Sequence, residues 1–328
     1  MLINNWVDFG ITQVNIGNYA SQFYLCSLMG NFIKIDPKNE STPKVFGTML
    51  GAIGPRPIAF VSTVDEDGNS NLSPFSQFGV FSANPPIVAF SPSRRVRDNT
   101  TKHTLENAQA TGEVVINVVN HAIVEQMSLS STEYGDGVNE FTKSGLTEVP
   151  SDLVKPSRVL ESPVAMECKI TDIIELGTEG GAGNMIICEV VRFHVNEDVL
   201  DEKGSIDQTK IDLVARMGGN WYCRAHGDAI FEIAKPLTTL GIGVDQIPED
   251  IRNSTILTGN DLGRLGNVES LPSELDVNDH KLFELSEVFV AHEDDAVTLE
   301  IELHKIAKEQ IKNNQIEMAW MTLLAFND

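Results

Sequence analysis

Four cations crowd into nine residues of a chain that is otherwise strongly acidic. Arg94, Arg95, Arg97 and Lys102 fall in the segment SPSRRVRDNTTKHT, residues 91–104, while the 328-residue chain carries a formal charge of −23. Hydroxyls stand among them at Ser91, Ser93, Thr100, Thr101 and Thr104. Guanidinium groups grip a phosphate through paired N–H donors, and hydroxyls together with helix N-terminal amides complete such a shell. The residue types therefore point to a held phosphate. The competing reading is a solvated loop that offsets the excess negative charge.

Just upstream, Leu72-Ser73-Pro74-Phe75-Ser76 sets hydroxyls on both sides of a proline and an aromatic ring. Proline has no N–H to give to a ladder, so this cluster is excluded from a regular helix and from a central strand. Ile87 to Phe90 is an apolar run entered through Pro85-Pro86 and left through Ser91-Pro92, which reads as a short buried strand.

The surrounding pattern supplies the elements that must hold these groups in place. Phe32 to Ile35 predicts an edge strand, Ser41 to Leu50 a short helix with Thr42 near its cap, and Arg56 to Val64 a strand. Asp65 to Gly68 reads as a hairpin turn with glycine available for positive φ. Thr101 to Ala110 predicts a helix that opens where the cations sit, followed by a β-branched strand over Glu113 to Asn120 and a helical stretch over His121 to Ser130. Tyr134 to Leu146 reads as a Gly- and Asn-rich loop tied down by Phe141. Val164 to Leu176 and Asn184 to Val195 read as two long strands joined by the flexible loop GTEGGAGN. Ile211 to Ala215 is a further strand candidate, and Gly218 to Tyr222 turns into a last segment that ends at Pro236. Short punctuated strands without βαβ alternation predict a mainly β fold, an antiparallel barrel with peripheral helices.

The character of the chain changes from Leu237. Gly, Asp and Asn dominate to Pro272, and helical periodicity follows through Leu282, Leu285 and Phe289, Leu299, Leu303 and Ile306, and Ile316, Ala319 and Leu323. Residues 237–328 hold 18 acidic against 6 basic side chains, a net −12. The reading is a domain over 32–236 followed by a linker and an amphipathic helical extension over 237–328, whose stripes pack a core or a subunit contact. Residues 1–31 contain no Lys or Arg, so the basic region of a secretory signal is missing. They read as an accessory segment, or as sequence ahead of a true start at Met29.

Several function classes are disfavoured. The acidic balance argues against general nucleic-acid binding, and no apolar run approaches the ~20 residues that span a bilayer. Cys26, Cys168, Cys188 and Cys223 are widely spaced and read as reduced thiols of a cytoplasmic chain. The seven histidines show no metal-binding spacing, so no metal site is expected. Ser-His-Asp hydrolysis lacks its GxSxG elbow, and the glycines at 180–183 and at 241 and 243 do not open a helix after a strand.

Arg56-Pro57-Ile58-Ala59-Phe60-Val61-Ser62, then NLSPFSQFGVFSANPPIVAFSPSRR, then TKHTLENAQATGEVVINVV together resemble the flavin reductase-like family, from about Phe32 to Pro236. The resemblance implies an FMN-binding split β-barrel, usually homodimeric, here in a subgroup with a helical C-terminal extension. It implies that Ser73, Pro74, Phe75 and Ser76 line the flavin ring, with Phe78 and Ser82 nearby, and that Arg56 and Pro57 abut the ribityl chain. Ser91, Arg94 and Arg95 would reach the 5′-phosphate, with Lys102 and Thr104 at the helix start. Many relatives have Lys-Asp-Thr at that last place, whereas this chain has Lys102-His103-Thr104, which removes one negative charge from beside the phosphate. Tyr222 and His226, in WYCRAHGD, are the candidates for catalytic groups approaching the flavin.

The implied activity is an NAD(P)H-dependent oxidoreductase in which a nicotinamide, lacking a Rossmann domain of its own, delivers hydride to the flavin as a transient co-substrate. The alternative is a non-catalytic flavin-binding or electron-transfer module with its flavin shielded by the C-terminal extension. Flavin and nicotinamide are the expected small-molecule partners, with neither nucleic acid nor membrane.

Overall fold

The computed structural model describes residues 32–135, 137–233 and 240–326. The chain divides into two compact units, Met1–Phe231 and Glu232–Asp328.

The first unit is built on a seven-stranded antiparallel sheet. Its strands are β1 (Ala59–Val64), β2 (Ser70–Phe75), β3 (Phe78–Ala83), β4 (Pro86–Phe90), β5 (Glu113–Val118), β8 (Val164–Glu175) and β9 (Asn184–Val195). The short pairs β6 (Glu148–Val149) with β7 (Arg158–Val159), and β10 (Val214–Arg216) with β11 (Tyr222–Arg224), form two small separate sheets. The strand order in the large sheet is β2-β1-β5-β8-β9-β4-β3. Its two outermost strands, β2 and β3, are consecutive in the chain and joined only by Ser76 and Gln77. Three Cα–Cα steps reach at most about 11 Å, so the sheet must curl until its two edges stand side by side. The result is a barrel split along the β2–β3 seam.

Burial follows from the curl. Ala59, Val61, Phe75, Phe90, Ile116, Cys168 and Ile186 fill one core, while Ile58, Phe60, Leu72, Met127 and Phe141 fill a second. β1 is buried along its whole length because alternate residues serve these two cores. Pro74 stands opposite Phe60 on the edge strand β2, where its missing N–H costs no ladder bond. Gly68, at φ 88°, closes the β1–β2 hairpin.

Among the described residues four helices attend the barrel: α1 (Thr42–Ala52), α2 (His103–Thr111), α3 (Val124–Leu129) and α4 (Glu140–Ser144). Three sequence expectations need correction here. Phe32 to Ile35 forms no strand; Phe32 and Ile33 are 86% and 88% exposed, because strand propensity without a neighbouring ladder fixes nothing. The strand expected from Arg56 begins at Ala59, since Pro57 cannot donate and Arg56 pairs singly with Arg216. The loop expected over 134–146 contains α4, started by Asn139, whose side chain accepts from the Phe141 N–H at 2.8 Å.

The second unit is helical: α5 (Glu249–Arg252), α6 (Gly259–Leu265), α7 (Glu274–Phe283), α8 (Ser286–Ala291), α9 (Ala296–Lys312) and α10 (Ile316–Leu324). Residues 240–272 are not a plain linker, because Ile247, Ile251, Leu257 and Leu265 pack around the fully buried Trp320 together with Ile311 and Leu323. A capping box between Thr258 and Asp261 starts α6. Residues 1–31 and the expected boundary at 236/237 lie outside the described residues. Among the described residues, no helix is long and apolar enough to cross a membrane.

Candidate functional site

A polar cleft opens beside β2. Its walls are Asn71 and Ser73 on the strand, Arg95 on the cationic loop, Lys102, His103 and Thr104 at the start of α2, the turn from Ser130 to Tyr134, and Glu140 on α4. Three residues expected at the phosphate, Arg95, Lys102 and Thr104, thereby come together with Ser73, which was expected beside the flavin ring.

The cationic loop is braced from behind by the loop joining β8 and β9. Arg94 donates its backbone N–H to Ala182 O at 2.8 Å, and Gly181 donates back to Arg94 O at 3.0 Å. A Cβ at Gly180 would come within 3.0 Å of Val96 O and 3.1 Å of Arg95 O, so glycine permits this approach. Asp98 ties the loop from within, accepting from the Thr100 N–H and hydroxyl. With Arg97 beside it, these bonds hold its carboxyl down at about 2.

Arg95 gives Nη1 to the Thr100 hydroxyl at 2.9 Å and to Thr101 O, and Nε to Glu133 at 3.1 Å. Lys102 is half-buried, and its ammonium lies 5.5 Å from the centroid of the Phe75 ring. Among the described residues no carboxylate lies within ion-pair distance of Lys102. Burial, and then the neighbouring Arg95, push its pKa below the usual lysine range, while Glu133 offsets this only in part. Lys102 is also the N-cap of α2 and makes no side-chain cap hydrogen bond there, and a helix start favours a bound anion.

A buried hydrogen-bond chain sets the position of α2. Asn71 donates to Thr104 Oγ1 at 2.9 Å and to Thr63 Oγ1 at 3.3 Å, and Asn107 donates to Thr63 Oγ1 at 3.1 Å. Glu140, also buried, accepts the Leu72 N–H at 3.0 Å, and desolvation raises its pKa above the ordinary carboxylate range.

The other expected site residues lie outside this cleft. Arg56 is buried and directs its guanidinium to the carbonyls of Leu50 (2.7 Å) and Ile53 at the end of α1, and to Met217 O (2.9 Å). Its Nε reaches the Ser76 hydroxyl at 3.4 Å, and Pro57 beside it is exposed. Arg94 turns to Asn99, Ser91 is buried against Gly183, and Phe78 packs on the barrel core. Pro74 and Phe75 end β2 at the seam, with the Phe75 ring packed tilted against Phe90 at 5.5 Å, and Ser82 lies towards the far end of β3. Tyr222 packs under Arg216 on β11, and His226 is solvent-exposed, its Nδ1 3.7 Å from Asp212. Glu133, Tyr134, Glu140 and Asn71 line the cleft without having been singled out from sequence. Only Glu140 carried a local signal, the helix start at Asn139.

Elsewhere, Asp152, Glu167 and His194 approach one another closely enough to hold a metal. Glu167 already spends its oxygens on the N–H groups of Asp152 and Leu153 and on His194, while Arg192 takes Asp152. The group is an internal brace.

Residues 52–212 match the family model described as the flavin reductase like domain. The chain belongs to this family. A relative in Halalkalibacterium halodurans, uncharacterized protein BH2278, is 37% identical over 192 residues, 58% of this chain and 91% of that protein. Among solved structures, nitrilotriacetate monooxygenase component B from Bacillus cereus is 29% identical with a TM-score of 0.58, over 62% of this chain and 99% of that one. A structure from Shewanella frigidimarina named for its split barrel domain is 28% identical with a TM-score of 0.53, over 62% of this chain and all of that one. These similarities span the barrel of this flavin reductase-like protein, and family membership supports a flavin cofactor. The donor set fits the phosphate end of such a group: a half-buried ammonium with no carboxylate at ion-pair distance among the described residues, a guanidinium beside it and a helix start.

Proposed function

We propose that the chain is an FMN-dependent oxidoreductase that accepts hydride from NADH or NADPH. The observation that carries this reading is Lys102, desolvated next to Arg95 at the start of α2, with no carboxylate among the described residues at ion-pair distance. A dianionic phosphate supplies the missing charge. Lys102, Arg95, Ser73 and the α2 amides would hold that phosphate. The β2–β3 seam from Ser73 to Ser76, where among the described residues neither strand has a ladder neighbour on its outer side, would hold the polar edge of the ring through backbone groups. Phe75, wedged between Lys102 and Phe90, fixes the corner on which the ring rests. Bound there, the flavin itself supplies the two-electron chemistry, and the protein's share is placement and charge.

Anaerobic addition of NADH or NADPH to the protein loaded with FMN tests the proposal, the 450-nm flavin absorbance being followed. Bleaching within the mixing time of a stopped-flow experiment is expected. A bound flavin that stays oxidised with both nucleotides would instead make the protein a flavin carrier, and a protein that takes no FMN would remove the reading altogether.

A further inference from the structure

Glu133 makes two ion pairs on the cationic loop, and neither guanidinium needs it for orientation. Its Oε1 accepts from Arg95 Nε at 3.1 Å and its Oε2 from Arg97 Nη2 at 2.6 Å. Arg95 is already oriented by Thr100 and Thr101, and Arg97 by Asp98 at 3.0 Å. The carboxylate therefore adds little to the shape of the loop, yet it takes up donors of two cations at the mouth of the cleft. It is delivered there by a fixed turn, in which Tyr134 donates its N–H to Thr132 O at 2.9 Å and carries Lys143 over its ring. The Glu133 side chain is 46% exposed, so its pairs are weak and readily exchanged for a stronger anion.

We infer that Glu133 is a resident anion that a phosphate-bearing ligand must displace, and that it thereby sets the affinity and charge selectivity of the cleft. The inference rests on the phosphate-binding reading of the cleft given above. A dianionic phosphomonoester outcompetes a single carboxylate at Arg95, because it brings more acceptor oxygens and a second charge. An uncharged ligand of the same shape gains nothing from the exchange. Glu133 thus penalises every anion, and a phosphomonoester can still meet that penalty.

The test is Glu133→Gln in the full chain, with binding of FMN, riboflavin and inorganic phosphate compared between parent and variant. FMN and riboflavin are followed by flavin fluorescence, and phosphate by calorimetry. Glutamine keeps the shape of the side chain and removes its charge, and a thermal melt checks that the fold is retained. About tenfold tighter FMN and phosphate binding is expected, with riboflavin unchanged. Unchanged or weaker phosphate binding overturns the inference, as does an equal gain for riboflavin. If neither protein takes FMN but the variant takes phosphate more tightly, the flavin reading fails and the resident anion stands. If FMN binds both proteins alike, the flavin reading stands and the inference fails. Phosphate bound by neither protein also ends the inference.

Discussion

The ammonium of Lys102 sits 5.5 Å above the ring of Phe75, and the Phe75 ring in turn packs tilted against Phe90 in the barrel core, centroids 5.5 Å apart. One aromatic ring therefore joins the cation at the start of α2 to the seam of the barrel. Replacing Lys102 by Gln should raise the dissociation constant for FMN by about ten- to a hundredfold, the range set by losing one charge-assisted contact. Thermal stability should hold or rise slightly, because a desolvated cation beside Arg95 is removed. Flavin fluorescence titration and a melt on the same sample check both halves. Retained affinity would detach Lys102 from the ligand.

Arg56 makes structural contacts that its sequence position does not announce. Its guanidinium collects carbonyls from the end of α1 and from Met217, tying that helix to the segment between β10 and β11. Arg56→Leu should leave those carbonyls unsatisfied and cost about 3 kcal/mol of stability. Arg56→Lys should recover only part of it, since a lysine ammonium cannot reproduce the planar fork. Urea midpoints read the loss. A variant of full stability that has lost only FMN binding would return Arg56 to the ligand.

How much of this was legible in the sequence depends on how local each cause is. Pro74 excluded a central strand because its missing N–H acts at one residue, and β2 is an edge strand. The cationic cluster was visible because its members are neighbours in the chain. Glu133 and Glu140 were not, since they act on Arg95 and Leu72 from 38 and 68 residues away, and the helix start at Asn139 marks only the element that carries Glu140. Arg94 and Arg95 are adjacent and alike in type, yet one turns to Asn99 and the other into the cleft, a choice made by the loop's packing against residues 180–183. Residues 240–272 looked like a linker because their Gly, Asp and Asn content hid the spaced apolar positions that meet Trp320.

The helical unit should weaken in mild acid. His280 and His304 are buried, with His280 Nε2 2.9 Å from the Thr322 hydroxyl and His304 Nδ1 2.7 Å from the Ser254 hydroxyl. Burial lowers both pKa values below the free value of about 6.5, only partly offset by Glu284 for one and by Glu300 and Asp250 for the other. The unfolded chain therefore binds these protons first as pH falls through about 6.5, so stability is lost from there downward towards the folded-state values. Fluorescence of the buried Trp320 during urea unfolding at pH 7.5 and 5.5 should show a lower midpoint at the acid pH. Replacing both histidines by Gln should flatten that dependence.

Thiol chemistry should divide the described cysteines into two classes. Cys168 and Cys188 are fully buried on the paired strands β8 and β9, where the register sets Cys168 opposite Val190 and Cys188 opposite Ile170. Desolvation drives the Cys168 thiol far up and the Cys188 thiol up to about 12, so neither supplies a thiolate at neutral pH. Cys223 on β11 is only half-buried and should be the one of the three that an alkylating reagent reaches in the native protein. Brief iodoacetamide treatment followed by peptide mass mapping should label Cys223 while sparing Cys168 and Cys188, with all three labelled after urea. Native labelling of Cys188 at a rate near that of Cys223 would mean that β8 and β9 open readily, and the sheet that carries the cleft would be far less rigid than its packing implies.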